Sequence, residues 1–371
     1  MIIGCVKELK VHEYRVGTIP DHVHNLVEQG HQVFVESGCG AACGFEDVDY
    51  QDAGAVVLPT AKEVWERCEI IIKVKEPLEE EYEHFREGLM IFTYFHLASV
   101  PSLARAMVDK GVTAIAYETV LDERHQLPLL RPMSQIAGRL SIQQAAKYLE
   151  LQLGGRGILL AGVPGVHPGK VVVIGGGEVG RNAAKVAKGF GAEVVVIDNN
   201  IDILNRIDDQ YNGAITTVYS TEKAIHRELL DADVVVGSVL IPGANAPKLI
   251  KRSYLKDMKK GSIIVDVAID QGGCAETSRP TTHEDPVYEV DGVLHYCVTN
   301  MPGVVANTST IALTNATSRY LNLIAKRGLK KACEAVPLLI HGINTLNHHV
   351  THPAVADSLG VDYVDPSTLL I

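Results

Sequence analysis

The sequence predicts an α/β protein with two Rossmann-like, doubly wound domains on mostly parallel sheets, separated by a cleft. Three observations favour this fold. Short β-branched runs alternate with helical patterns in two separate stretches of the chain. A glycine-rich turn opens the second stretch. The chain has 371 residues, whereas a single hydrophobic core stops growing at about 250 to 300 residues, so two domains are expected.

The first stretch predicts strands and helices in alternation. Strands are expected at Ile2–Cys5, Gln32–Glu36, Ile70–Val74 and Met90–Thr93, and helices at Pro20–Gln29, Val64–Arg67, Glu79–Phe85 and Leu103–Lys110. Ligands of parallel sheets bind at the carboxyl ends of the strands. Lys75 and His96 follow two of these strands, so they fall where chemistry is expected.

A longer amphipathic segment from Ser134 to Leu149 predicts a helix that links the two domains, with Ser134 as its N-cap. A second set of strands follows, at Val171–Ile174, Glu193–Ile197, Val234–Val236 and Ile263–Val265. A helical pattern from Thr308 to Arg327 comes next, and the tail from Lys330 to Ile371 carries no nucleotide-binding signal.

The sharpest motif is the glycine-rich turn. Gly175, Gly177 and Gly180 form G-x-G-x-x-G after a strand and into a helix, and Asp198 closes the next strand 23 residues past Gly175. The free N–H groups of that helix favour a pyrophosphate. Asp198 would bind the adenosine ribose hydroxyls and repel the extra phosphate of NADP, which predicts NAD as the cofactor. S-adenosylmethionine is the alternative ligand.

Composition excludes several classes of partner. The formal net charge is −11, so the surface would repel nucleic acid and anionic membranes. The seven cysteines form no C-x-x-C pair, which fits a reducing cytoplasm. The N-terminus lacks the pattern of a signal peptide, and no apolar run approaches the roughly 20 residues that cross a bilayer. We therefore expect a cytoplasmic protein with a small-molecule substrate.

Seven motifs resemble the alanine dehydrogenase family, whose wider superfamily includes the nucleotide-binding part of proton-translocating transhydrogenase. They cover most of the chain and are highly specific in combination. They lie at Lys7–Pro20, Ile72–Pro77, Thr93–Ala98, Pro132–Arg139, Ile264–Gly273, Asn300–Gly303 and Thr308–Thr310.

This resemblance implies a domain organisation and an activity. Residues 1–130 and 305–371 would form a discontinuous substrate domain, and residues 131–304 the NAD-binding domain. The activity would be the reversible oxidative deamination of L-alanine to pyruvate and ammonia through an imine, in a homohexamer. The alternatives are a dehydrogenase for another small amino or imino acid, and a transhydrogenase-like NAD(H)-binding subunit.

The resemblance also implies a catalytic constellation. Arg15 and Lys75 would hold the substrate carboxylate, the arginine in bidentate fashion. His96 would be the general acid and base, because imidazole is the side chain that exchanges protons most readily near neutral pH. Asp270 would face His96 across the active-site cleft and stabilise the cationic iminium. Without the resemblance, the two cations could be surface residues, His96 structural and Asp270 a turn cap.

Further cofactor contacts, and five departures from the family's pattern, follow from the same resemblance. Ile203 and Asn307 stand where many relatives have basic residues, and Gly17 replaces a usual alanine, which could loosen the carboxylate clamp. Leu323 and Arg327 occupy positions where some relatives bind a divalent ion, so no metal site is predicted. The contacts are expected at Ser134, Glu178, Val179, Ser220, Val239, Leu240, Val267, Ala268, Ile269, Asp270, Arg279, Val298, Thr299, Asn300 and Met301.

Overall fold

The computed structural model describes residues 1–239 and 245–370, which fall into two compact units. Unit 1 comprises Met1–Met133 and Gly303–Ile371, and unit 2 comprises Ser134–Pro302. Among the described residues, none of the helices is long and apolar enough to cross a membrane.

The first part of unit 1 alternates strands and helices, as expected of βαβ units. A 3₁₀ helix at Glu79–His84 replaces the longer helix predicted there. The elements are β1 (Ile2–Cys5), α1 (Pro20–Glu28), β2 (Gln32–Glu36), α2 (Asp47–Asp52), β3 (Val56–Leu58), α3 (Ala61–Arg67), β4 (Ile70–Ile72), β5 (Met90–Thr93), α4 (Pro101–Asp109) and β6 (Thr113–Ala116).

Unit 2 follows the same plan after a long helix. The elements are α5 (Arg131–Tyr148), β7 (Lys170–Ile174), α6 (Glu178–Gly189), β8 (Glu193–Asp198), α7 (Ile201–Tyr211), β9 (Thr216–Tyr219), α8 (Glu222–Leu229), β10 (Val234–Gly237), β11 (Ile263–Asp266), β12 (Val287–Val290) and β13 (Val293–Tyr296). β7, β10 and β11 are buried on both faces, as parallel strands covered by helices require.

The chain then returns to the sheet of unit 1. Its last elements are α9 (Ala306–Ala335), β14 (Ile343–Leu346), β15 (His349–Val350) and α10 (Pro353–Leu359). Gly328 leaves the helical conformation inside α9, with φ 75° and ψ 161°. β14 pairs antiparallel with β6, so the tail extends the sheet that the N-terminal part began.

Both sheets are doubly wound, which confirms the predicted fold class. Unit 1 has the strand order β3-β2-β1-β4-β5-β6-β14-β15, and unit 2 has β9-β8-β7-β10-β11-β13-β12. β1 to β6 are parallel to one another, and so are β7 to β11. The order reverses between β1 and β4, and again between β7 and β10. In such sheets the crevice at the reversal is where ligands bind.

The predicted start of α5 was wrong. The helix begins at Arg131, three residues before the predicted N-cap Ser134, which lies inside its first turn. Pro132 explains the difference. Proline is tolerated in the first turn of a helix, where its missing N–H would have no intrahelical acceptor.

A fully buried lysine lies at the reversal point of unit 1. The Nζ of Lys73 is 2.9 Å from Glu81 Oε1 and 3.2 Å from Glu8 Oε2. Glu8 Oε1 also accepts a hydrogen bond of 2.6 Å from the N–H of Val74. Burial raises the pKa of Glu8, although Lys73 and this hydrogen bond oppose the shift. Glu8 therefore joins the segment after β1 to the end of β4.

Lys73→Met should lower the free energy of unfolding of unit 1 by about 3 to 5 kcal/mol, because it leaves two buried carboxylates without their cation. Trp65, the single tryptophan, is buried in unit 1, so its fluorescence during urea unfolding reports this unit. Lys62→Met is the control, since Lys62 forms an exposed ion pair with Glu66 at 3.8 Å. It should lower the free energy of unfolding by no more than about 0.5 kcal/mol. Equal losses in the two variants would contradict the prediction.

Candidate functional site

Three of the predicted site residues lie at one edge of the unit 1 sheet. Arg15 belongs to the segment after β1, Lys75 follows β4 and His96 follows β5. These three strands are parallel neighbours, so their carboxyl ends share one edge. The reversal between β1 and β4 falls between Arg15 and Lys75, which is where a ligand site is expected.

Arg15 is buried and firmly held. Its Nε and Nη2 donate to the two carboxylate oxygens of Glu13, at 2.7 and 2.5 Å, and its Nη1 lies 2.9 Å from the sulfur of Met133. Glu13 thus takes one bidentate edge of the guanidinium. A ligand carboxylate would meet Arg15 on the Nη1 side, where the sulfur is only a weak acceptor.

Lys75 differs from its cationic neighbours because, among the described residues, no carboxylate lies within ion-pair distance of its ammonium. Lys73 has Glu8 and Glu81, Arg15 has Glu13, and Lys10 pairs with Glu76. Burial lowers the pKa of Lys75, and the positive charge of Arg15 lowers it further. An anion bound here would relieve both effects.

The backbone around Arg15 is anchored from two sides by residues that the sequence did not single out for this role. Thr310 Oγ1 on α9 accepts from the N–H of Val16 at 3.2 Å. The thiol of Cys43 donates to the carbonyl of Tyr14 at 3.0 Å. Asn307 in turn donates to the carbonyl of Cys43 at 2.6 Å. The predicted motif Thr308–Thr310 was the available signal, but it does not tell which backbone group it meets.

Gly17 has a steric role. A Cβ placed there would lie 2.9 Å from the carbonyl oxygen of Ile72, at the end of β4. Its absence lets the segment of Arg15 approach the strand that leads to Lys75. This close contact is a steric reason for a glycine at this position.

His96 is exposed at the carboxyl end of β5, in a left-handed backbone conformation with φ 51° and ψ 38°. Its N–H donates to Glu118 Oε1 at 2.6 Å. Its ring lies nearly parallel to that of Tyr94, with 6.3 Å between centroids and 12° between planes. The sequence identified His96 but neither of these neighbours.

The glycine-rich turn of unit 2 has the geometry of a dinucleotide cradle. Gly175 has φ 99°, a conformation that favours glycine. A Cβ on Gly180 would lie 1.7 Å from the carbonyl oxygen of Gly175, whereas one on Gly177 would meet nothing within 4 Å. The turn is therefore tightly packed at Gly180 and open at Gly177. The open side is at the N-terminus of α6, where a pyrophosphate would fit.

Asp198 ends β8, beside this turn. Its Oδ2 accepts from the N–H of Gly176 at 2.6 Å, and its Oδ1 from the N–H of Asn200 at 2.8 Å. Ile203 packs against Gly176. The carboxylate is thus oriented by backbone donors, on the side where the adenosine ribose of a bound dinucleotide would lie.

Most other predicted cofactor contacts follow strands of the same sheet. Arg279 is exposed and stacks on Tyr288, with 4.0 Å from its Cζ to the ring centroid. Asp270 is exposed in a 3₁₀ helix, and Leu240 lies outside the described residues. Ser134 lies in α5, and Glu178 and Val179 form the first turn of α6; after strand ends come Ser220 (β9), Val239 (β10), Val267, Ala268, Ile269 and Asp270 (β11), and Val298, Thr299, Asn300 and Met301 (β13).

Asp266, for which the sequence predicted no role, organises the segment after β11. Its Oδ2 accepts from the N–H groups of Cys274 and Ala275, at 2.7 and 3.2 Å, and from the hydroxyl of Ser278 at 2.5 Å. Burial raises the pKa of this carboxyl, while the hydrogen bonds lower it. Asp266 thereby folds residues 267–278 back onto the end of β11.

Comparison with known families accounts for nearly the whole chain. The N-terminal domain model of alanine dehydrogenase/PNT matches residues 4–137, and the C-terminal domain model matches residues 141–353. The alanine dehydrogenase of Halomonas elongata is 50% identical over 370 residues, which cover 100% of both chains. That of Bacillus subtilis is 54% identical over 365 residues, which cover 98% of this chain and 96% of the relative.

Solved structures agree with these matches. An L-alanine dehydrogenase structure superimposes with a TM-score of 0.94 and 49% identity, covering 97% of this chain and 99% of the other. A transhydrogenase from Sinorhizobium meliloti superimposes with a TM-score of 0.82 and covers 95% of this chain and 100% of its own. At 24% identity, this second likeness shows the fold alone.

Gly180→Ala should weaken dinucleotide binding at least about tenfold, because overpacking of this kind costs about 1 to 3 kcal/mol and the displaced carbonyl belongs to the cradle itself. Gly189→Ala is the control, since Gly189 lies in the same helix and a Cβ there meets nothing within 4 Å. Fluorescence titration with NADH measures both dissociation constants. The prediction fails if the Gly180 variant, folded by circular dichroism, binds NADH like the control.

Proposed function

This chain belongs to the alanine dehydrogenase/PNT family and is an oxidoreductase, and we propose that it acts as an NAD-dependent L-alanine dehydrogenase. In the oxidative direction, L-alanine, NAD⁺ and water give pyruvate, ammonium, NADH and a proton. The reverse reaction aminates pyruvate. The support is the combination of a carboxylate-binding edge in unit 1 with a dinucleotide cradle in unit 2.

One observation carries the choice of substrate class. The half-buried side chain of Lys75 has no carboxylate partner among the described residues, and it lies close enough to Arg15 for the guanidinium to lower its pKa. Two neighbouring cations favour a bound anion. A 2-oxo acid or amino acid as small as pyruvate or alanine offers little apolar area, so its carboxylate is its best handle, and each charge-assisted hydrogen bond contributes about 1.5 to 3 kcal/mol.

The cofactor we propose is NAD rather than NADP. Bound NAD⁺ supplies a hydride acceptor, and NADH a hydride donor, for the α-carbon of the substrate. The N-terminus of α6 would hold the pyrophosphate beside Gly177. Asp198 would accept hydrogen bonds from the ribose hydroxyls, and its negative charge opposes a 2′-phosphate.

Two further side chains have proposed roles in proton transfer and charge stabilisation. His96, exposed at the strand end, donates a proton to the pyruvate carbonyl oxygen as ammonia adds, and assists the loss of water to the iminium. In the oxidative direction it takes a proton from the water that hydrolyses the imine. Asp270 stabilises the cationic iminium with its carboxylate.

Assembly, location and partners complete the proposal. A homohexamer is supported by the family resemblance. A cytoplasmic location without nucleic-acid or membrane partners is supported by the net charge of −11 and by the cysteines, all seven of which are free. The partner that we propose for the site is therefore a small-molecule substrate, L-alanine or pyruvate.

The direct test follows NADH oxidation with pyruvate and ammonium, and then with glyoxylate, 2-oxobutyrate and NADPH in turn. We expect pyruvate with NADH to be the best pair. His96→Ala should reduce turnover by about 10² to 10⁴ and leave NADH affinity unchanged. A protein that binds NADH but reduces none of the oxo acids would refute the proposal in favour of a binding subunit, and a His96 variant with normal rates would remove His96 from the mechanism.

The lowered pKa of Lys75 predicts a pH dependence of pyruvate binding. As pH rises through this pKa, below the usual value of 10.5 for lysine, the ammonium loses its proton and the charge-assisted hydrogen bond is lost. The Kd of pyruvate for the NADH complex, measured by fluorescence without ammonium, should therefore rise at alkaline pH, by up to the equivalent of about 1.5 to 3 kcal/mol. In Lys75→Arg the cation persists, so the curve should stay flat. The same rise in both proteins would contradict the role of Lys75.

A further inference from the structure

The backbone of His96 is in the left-handed conformation, which is uncommon for residues other than glycine. A left-handed backbone costs an L-residue other than glycine about 1 to 2 kcal/mol, and His96 has φ 51° and ψ 38°. Such residues persist only where the surrounding structure determines them, and they cluster at active sites. The neighbours of His96 should therefore include the group that imposes this geometry.

Glu118 makes the contacts that do so. Its Oε1 accepts from the N–H of His96 at 2.6 Å, and both of its oxygens lie 3.2 Å from the N–H of Phe95. The carboxylate thus accepts hydrogen bonds from two successive N–H groups of the turn that follows β5. A carboxyl oxygen can accept more than one hydrogen bond, so a single side chain can hold both N–H groups.

Glu118 is itself fixed by the sheet. It lies in a 3₁₀ turn directly after β6, the parallel neighbour of β5. The preceding Tyr117 is fully buried, and the hydroxyl of the following Thr119 donates to Asn344 Oδ1 on β14 at 3.0 Å. Both chain neighbours of Glu118 are therefore held in place, one by burial and the other by a hydrogen bond to β14.

The imidazole is constrained from a second direction. The ring of Tyr94 lies nearly parallel to it, and the Tyr94 hydroxyl donates to the carbonyl of Leu129 at 2.5 Å, which fixes the tyrosine ring. The turn conformation sets the direction of the Cα–Cβ bond of His96, and the tyrosine ring limits where the imidazole can swing from it.

We propose that Glu118 is the positioning residue of His96, holding its backbone in the left-handed conformation that points the imidazole at the substrate. This inference rests on the proposed acid–base role of His96. Glu118 acts through its hydrogen bonds to the two N–H groups, and its charge is secondary. Proton transfer in enzymes tolerates little misplacement, since a shift of about 1 Å can cost about 100-fold in rate.

The test compares Glu118→Ala and Glu118→Gln with the control Glu69→Ala. Glu69 also accepts a backbone hydrogen bond, from Ile2 at 2.5 Å, but it precedes β4 and so lies at the opposite edge of the sheet. We expect Glu118→Ala to lower kcat for pyruvate amination about 100-fold with an unchanged KM for NADH. Glu118→Gln keeps one acceptor oxygen and should restore kcat to within about tenfold, with the pH profile of the original protein. Glu69→Ala should leave kcat unchanged.

A double variant separates positioning from general destabilisation. In the His96→Ala background, Glu118→Ala should cost no further turnover, because the group that it positions is already gone. A further loss there, a normal kcat in Glu118→Ala, or a Gln variant that fails to rescue and shifts the pH profile would each overturn the proposal. Normal turnover in His96→Ala alone would instead overturn the role of His96, so the two failures are distinguishable.

Discussion

Backbone N–H groups at the carboxyl ends of the parallel strands need acceptors, and carboxylates supply them throughout this protein. The loops that leave a parallel sheet lose the ladder of hydrogen bonds, and a buried N–H without an acceptor costs about 1 to 3 kcal/mol. Acidic side chains at the last residue of a strand, or a few residues past it, meet this need at each candidate site. The acceptors are Glu8 for Val74, Glu118 for Phe95 and His96, Asp198 for Gly176 and Asn200, and Asp266 for Cys274 and Ala275.

The use of carboxylates as acceptors places negative charge in buried positions. In unit 1, buried cations pair with these carboxylates. Glu8 and Glu81 share Lys73, and Glu13 is matched by Arg15. A buried carboxylate without such a partner would be strongly destabilising. Lys75, beside these pairs, has no carboxylate partner among the described residues, so its positive charge is available to an anionic ligand.

The sequence predicted strands that carry a clear apolar run or alternation, and missed others for different reasons. β1, β2 and β5 were predicted with their observed bounds. β9 and β12 were missed because their residues are half-buried or exposed at or near the sheet edge, so their sequences carry little apolar signal. β6 was missed for another reason: it is wholly buried, but two of its four residues are alanines, which are weak markers of a strand.

Some residues of the candidate site can be identified from their place along the chain, and others only from the pairing of neighbouring strands. His96 could be identified because it follows a strand, whereas Glu118 is 22 residues away and carries no motif. In the sheet, Thr93 of β5 is aligned with Ala116 of β6, so a residue two positions past the end of one strand reaches a residue three positions past the end of the other. A similar relation holds in unit 2, where Ile174 is aligned with Ile197: Asp198 lies one position past this aligned pair and Gly176 two positions past it. Residues that support a site in a parallel sheet are therefore to be sought at matching positions past the neighbouring strand, and the strand order needed to find them becomes available only with the fold.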